Sequence, residues 1–200
     1  MGLPFYGTAT DRLSDLVTGG SVEDDPGPTE GVIRDFVDHV RSFRLGGGVI
    51  RTPPHPYALR KLWMAETTRY YDEFKKLPPQ PRQRQAGMSF LWHAVRCPRC
   101  MVAFYGGEIV AALDFKLRRP YVMVGAIGSR QAIRGAAFAL EFEIAREGMR
   151  LSRRVTSGYA GDSRGFHVRI GRRLDKPSRG TSEWTVPDCR FIVERVEALL

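Results

Sequence analysis

Apolar residues recur at helical spacing from Thr29 onward. Val32, Ile33, Phe36, Val37, Val40 and Phe43 fall on one face before Gly46-Gly47-Gly48 breaks the pattern. The spacing predicts an amphipathic helix, which needs an apolar surface to lie against. A short extended segment near Val49 to Arg51 follows, and prolines at 53, 54 and 56 pin a turn. Two further helices are expected. The first runs from Tyr57 to Lys76, carries Leu59, Leu62, Trp63, Tyr70, Phe74 and Leu77 along its stripe, and stops at Pro78-Pro79. The second covers Gln83 to Val95, with Met88, Leu91, Trp92 and Val95.

From Met101 the period changes. Met101 to Tyr105 and Glu108 to Lys116 read as two strands joined at a tight Gly106-Gly107 turn. Pro120 marks another turn, and Tyr121 to Ile127 is a continuous apolar run, the mark of a strand buried on both faces. Gly135 to Arg150 returns to helical spacing, with Ala137, Leu140, Ile144 and Ala145 on one side and Phe138, Phe142 and Met149 widening the stripe. A strand at Arg154 to Ser157, a loop through Gly161, a short helical piece from Ser163 to Ile170 and a strand at Ser182 to Val186 follow. A last helix, Asp188 to Leu200, buries Ile192, Val193, Val196 and Leu199. Strands and helices in this succession predict an α/β fold with a mixed central sheet flanked by helices, and no internal repeat is visible.

Composition divides the chain. Residues 18–31 are rich in Gly, Pro and acid and read as a linker. Residues 1–47 hold eight acids against four arginines, a net −4, so 48–200 keep 27 bases and 14 acids, a net +13. Two units are therefore expected: an acidic linker with an amphipathic helix over 1–47, and a basic folded domain over 48–200. Only five of the 31 bases are lysine, and guanidinium is the cation best suited to gripping phosphate through paired hydrogen bonds. An anionic partner is implied; CoA, nucleic acid and an acidic protein all satisfy that charge, and so does plain solvated surface arginine. No run of about 18 apolar residues occurs and the start lacks a secretory pattern, so no membrane association is expected and the cytoplasm is.

Three cysteines, an odd number, give no disulfide framework. His93, Cys97 and Cys100 have a His-x3-Cys-x2-Cys spacing to which Cys189 could add a fourth zinc ligand. A single Cys-x-x-Cys is more often a pair of small buried hydrophobes, and no metal is assigned.

The strand, Gly-rich basic turn and helix over 121–150 form a device for holding phosphate. The first N–H groups of a helix have no intrahelical partner, and the helix dipole adds partial positive charge. The turn reads Gly128-Ser129-Arg130-Gln131-Ala132-Ile133-Arg134-Gly135-Ala136-Ala137. Arg134 to Ala139, followed by a helix, resembles the pyrophosphate loop of the GNAT superfamily of acyl-CoA-dependent N-acyltransferases, whose pattern is Gln/Arg-x-x-Gly-x-Gly/Ala. Gly135 and Ala137 match its small positions, and Ala132 stands where the leading Gln/Arg belongs. Gly165 to Arg172 is similar to the family's Phe-Tyr-x-x-x-Gly-Phe stretch: Phe166 and Gly171 match, while His167 replaces the tyrosine and Arg172 the second phenylalanine. The resemblance covers roughly 49–186 and implies strand, two helices, three-strand meander, cofactor helix, strand and short helix.

The resemblance also implies a function. An acyl group passes from acetyl-CoA or a related acyl-CoA directly to an amine. The cofactor-binding residues it implies are Val124, Ala126, Gly128, Ser129, Arg130, Gln131, Arg134, Gly135, Ala136 and Ala137. Backbone N–H groups splayed between Val124 and Ile127 would polarise the thioester carbonyl, Tyr159 or His167 would protonate the departing thiolate, and Asp114 or Glu66 would take the amine proton through water. Each has a simpler rival: a surface histidine, a packing tyrosine, a solvated strand end, and a glutamate reaching water at a stripe margin. The acceptor is open, from small amines to peptides and nucleic acid. The departures at Ala132, His167 and Arg172 support an alternative: a GNAT-like binding module that has lost catalysis and grips nucleic acid or an acidic protein with its arginines.

Overall fold

The computed structural model of the chain describes residues 27–52, 97, 99–129, 133–159, 161–176 and 180–200. In chain order the elements are α1 (Glu30–Leu45), β1 (Val49–Arg51), β2 (Cys100–Tyr105), β3 (Glu108–Leu117), β4 (Tyr121–Ser129), α2 (Ala136–Leu151), β5 (Arg154–Tyr159), α3 (Gly161–Arg169), β6 (Arg173–Leu174), β7 (Gly180–Trp184) and α4 (Val186–Leu199). The strands form one mixed sheet in the order β1-β2-β3-β4-β5-β7-β6. Every neighbouring pair is antiparallel except β4 with β5, which is parallel. The protein is thus of the α/β class, and its described elements follow the order the resemblance implies. The two helices expected over 57–95 lie outside the described residues.

Local chemistry explains the boundaries. Thr29 caps α1 by accepting the Val32 N–H. Gly106 and Gly107 both have positive φ, which a tight β2–β3 hairpin requires. Thr185 and Asp188 form a reciprocal capping box at α4 with Pro187 inside its first turn. This box corrects one expected boundary. Val186 belongs to the helix, and β7 runs two residues earlier than its apolar pattern suggests.

The core lies between the sheet and a layer made by α1, α2 and α4. Phe36 on α1 meets Phe138 on α2 edge-on, with centroids 5.3 Å apart, and approaches Trp184 on β7 at 6.1 Å. Ile33, Val40 and Phe43 complete the buried face of α1. At its outer edge Arg169 of α3 holds Asp35 through two bonds of 2.6 and 3.1 Å. The helix read from the sequence as part of an acidic arm therefore shares the core of the basic body.

Candidate active site

The parallel junction of the sheet is short. β4 and β5 pair from Tyr121 with Arg154 to Val124 with Ser157, and there pairing ends. Beyond that point β4 continues to Ser129 alongside β3 alone, and β5 continues to Tyr159 alongside β7 alone. The two strands part in the middle of the sheet and leave a wedge whose inner edges have backbone without a strand partner. Two glycines stand at the parting. Gly125 is skipped in the β3–β4 register, where Asp114 pairs with Ala126 and Phe115 with Val124, so it is a bulge that turns the strand. Gly158 faces open space: a Cβ there would meet nothing within 4 Å.

In sequence, β4 leads to the start of α2. Its N-cap, Gly135, offers no side-chain capping bond, and the first turn contains no acid. Beside it stands exposed Arg134. Ala136 is buried and Ala137 half-buried, while Gly128 and Ser129 end β4 just before the turn. Arg130 and Gln131 lie outside the described residues, as does Ala132. Gly135 has φ of +86°, and a Cβ would fall 2.0 Å from the His39 carbonyl oxygen of α1. Helix packing alone therefore requires glycine at this position.

Asp114 comes to the same junction from β3. It is buried, at 3% exposure, so it is not a solvated strand end. Its Oδ2 lies 2.2 Å from where a Gly125 Cβ would be, so the bulge is what admits the carboxylate. A cavity of about 300 Å³ opens beside it, lined in part by Cys97, Arg99, Phe115, Lys116 and Arg118. Glu66 lies outside the described residues.

Tyr159 ends β5 at the wedge, 5% exposed, and its hydroxyl accepts the Lys176 N–H at 3.2 Å. His167 sits behind it on α3, with ring centroids 5.8 Å apart. It is buried rather than on the surface, and its Nδ1 lies 2.8 Å from the Ser182 hydroxyl. Burial, and then the Arg172 charge, push its pKa down to about 3. The imidazole is neutral at physiological pH and stores no proton for donation.

A buried ion pair escaped the sequence reading. The Arg172 guanidinium donates to Glu141 on α2 at 2.6 Å, with both side chains fully buried, and lies 4.5 Å from the Trp184 ring centroid. Burial raises the Glu141 carboxyl above its ordinary range, against the opposing pull of Arg172. The available signal was Glu141 itself, an acid set between Leu140 and Phe142 in an apolar stripe. Gly125, alone inside an apolar strand run, was likewise a readable sign of a bulge.

Cys97 and Cys100 stay close enough to interact, and Cys189 lies elsewhere, on α4. Cys189 on α4 packs near Gly148 and Val155, and burial pushes its thiol up to about 12. Cys100 on β2 rises to about 11, chiefly through burial. Among the described residues no three His, Cys, Asp or Glu side chains are grouped so as to hold a metal ion. His93 lies outside them. No described helix is long and apolar enough to cross a membrane.

No family model matches the sequence, and no curated protein matches it. Solved structures give similarities at low identity. An inferred acetyltransferase from Pyrococcus horikoshii is 16% identical, with a TM-score of 0.42 over 63% of this chain, which spans only 43% of that protein. An acyl-CoA N-acyltransferase from Pseudomonas aeruginosa is 16% identical, with a TM-score of 0.40 over 68% of this chain and 97% of its own. A histone acetyltransferase HPA2 and related acetyltransferase from Corynebacterium glutamicum is 19% identical, with a TM-score of 0.30 over 80% and 93%.

Proposed function

We propose that this chain is an acyl-CoA-dependent N-acyltransferase whose thioester lies in the wedge between β4 and β5. The observation that carries this reading is the parting of the two parallel strands at Val124 and Ser157, on a strand followed in sequence by a helix start with no side-chain cap, no acid in its first turn and an adjacent arginine. An anionic head group suits the α2 N-terminus, where Gly128, Ser129, Arg134, Gly135, Ala136 and Ala137 surround the turn. Backbone N–H groups between Val124 and Ala126, freed by the bulge, are suited to polarising the thioester carbonyl. Asp114 takes the amine proton. The Tyr159 hydroxyl supplies the proton for the departing thiolate, since neutral His167 has none in reserve. His167 instead fits a positioning role, through its contacts with Ser182 and Tyr159.

Gly158 provides the test. A Cβ at Gly158 meets nothing within 4 Å, so Gly158→Leu is expected to leave the fold intact while filling space at the wedge. Calorimetric titration with acetyl-CoA is expected to detect binding by the unaltered chain and lose it in Gly158→Leu, with the thermal unfolding midpoint little changed. Absence of binding by the unaltered chain overturns the assignment and favours the catalytically inactive module, and equal binding by both overturns the placement of the thioester in the wedge.

A further inference from the structure

We propose that the acceptor is a small primary amine carrying its own anionic group, a carboxylate or a phosphate, held in the cavity beside Asp114. The proposal rests on the acyltransferase reading for its chemistry and on the cavity for its specificity. Arg99, Lys116 and Arg118 line this cavity and are exposed, whereas Asp114, which also lines it, is 3% exposed. The space thus runs from a rim of three cations to one carboxylate, and that carboxylate abuts the Gly125 bulge at the wedge. Lys116 follows Asp114 two positions on in β3, so strand alternation turns both to the same side, and Arg118, just past the strand, lines the same cavity. Arg99 joins them because its carbonyl accepts the Phe115 N–H at 3.1 Å. A volume of about 300 Å³ is at the small end of ligand cavities and suits a compact metabolite.

The charges specify the ligand. Among the described residues three cations face one acid, a positive balance that repels a polyamine and attracts an acceptor with a negative end. That end meets the cationic rim. Its amine, at the other end, reaches Asp114 and the reacting carbonyl. The neutral amine nitrogen attacks the thioester carbon, forming the C–N bond of the amide as the C–S bond breaks. The amine proton passes to Asp114, and the thiolate takes one from Tyr159.

The experiment compares acyl transfer from acetyl-CoA to β-alanine, phosphoethanolamine, propylamine, putrescine and a single-stranded oligonucleotide. The anionic small amines are expected to lead propylamine by about ten-fold or more in kcat/KM, with putrescine slowest. β-Alanine and phosphoethanolamine tell a carboxylate from a phosphate end. Replacing Arg99, Lys116 and Arg118 together with glutamine should raise KM for the anionic amines about ten-fold or more while leaving acetyl-CoA affinity unchanged. Restoring lysine at 116 alone should recover part of that loss. Preference for propylamine, putrescine or the oligonucleotide overturns the proposal, as does a triple variant that slows every amine equally. Direct titration of the full chain with phosphoethanolamine, without acetyl-CoA, separates the two readings. Binding that weakens in the triple variant supports the anion site even if acetyl-CoA fails to bind, and no binding by either protein refutes it.

Discussion

Replacing Arg172 with methionine and Glu141 with glutamine, one at a time, disturbs the same buried pair from its two ends with unequal results. Both side chains are fully buried at 2.6 Å, so each variant leaves one charge behind in a dry core. In Glu141→Gln the guanidinium cannot shed its proton. An uncompensated buried charge costs about 3–5 kcal/mol, and the Trp184 ring, which meets the guanidinium with or without Glu141, leaves that difference unchanged. In Arg172→Met the remaining carboxyl can take up a proton, so the loss depends on pH. Burial already raises Glu141 above its ordinary 4.5, and removing Arg172 raises it further. A raised folded pKa gives stability that is complete below the unfolded value and is lost as pH rises through the folded one. Lowering pH towards 6.5 should therefore stabilise Arg172→Met by up to ~1.4 kcal/mol per unit, while Glu141→Gln stays flat. His167 interferes little in this window, because its ordinary 6.5 is depressed to about 3 in the fold. Urea unfolding followed through buried Trp184 measures both variants. A flat Arg172→Met, or a Glu141→Gln that gains as much on acidification, refutes the argument.

Gly125→Ala directs a Cβ into the Asp114 carboxylate. It should lower stability by about 1–3 kcal/mol in urea titrations and reduce acyl transfer more than acetyl-CoA affinity. Tyr159→Phe should lower kcat by about 10²- to 10⁴-fold with the acetyl-CoA Kd unchanged, whereas His167→Gln has the smaller effect; a reversed ranking in steady-state assays would exclude Tyr159 as the acid. Gly135→Ala should destabilise the fold by about 2 kcal/mol or more through the contact with α1, seen as a lower unfolding midpoint with or without ligand.

Much of the fold was legible because periodicity reports a single buried face. The α1 stripe, the Gly106-Gly107 hairpin and the α2 stripe all appear where their spacing puts them. β6 was missed because two residues carry no period, and the insertion of β7 between β5 and β6 was missed because strand order is not a local property. The site was less legible. Asp114 looks like a solvated strand end until the bulge opposite is known, and His167 looks like a surface group until Ser182 and Arg172 enclose it. Arg172 reads only as a departure from the second phenylalanine of the GNAT-like stretch until Glu141 is brought beside it. Gly135 fits a phosphate-loop pattern, yet the close neighbour that demands glycine there is α1, brought in from a distant part of the sequence.

The short parallel junction also has a mechanical meaning. Four residue pairs act as a fulcrum between two blocks, β1 to β4 on one side and β5 to β7 on the other, and α2 lies across both as a brace. Beyond the fulcrum no ladder bond joins the blocks, so the mouth can widen by a small rotation without breaking one. Asp114 and Tyr159 are carried on opposite arms of that lever, on β3 and β5.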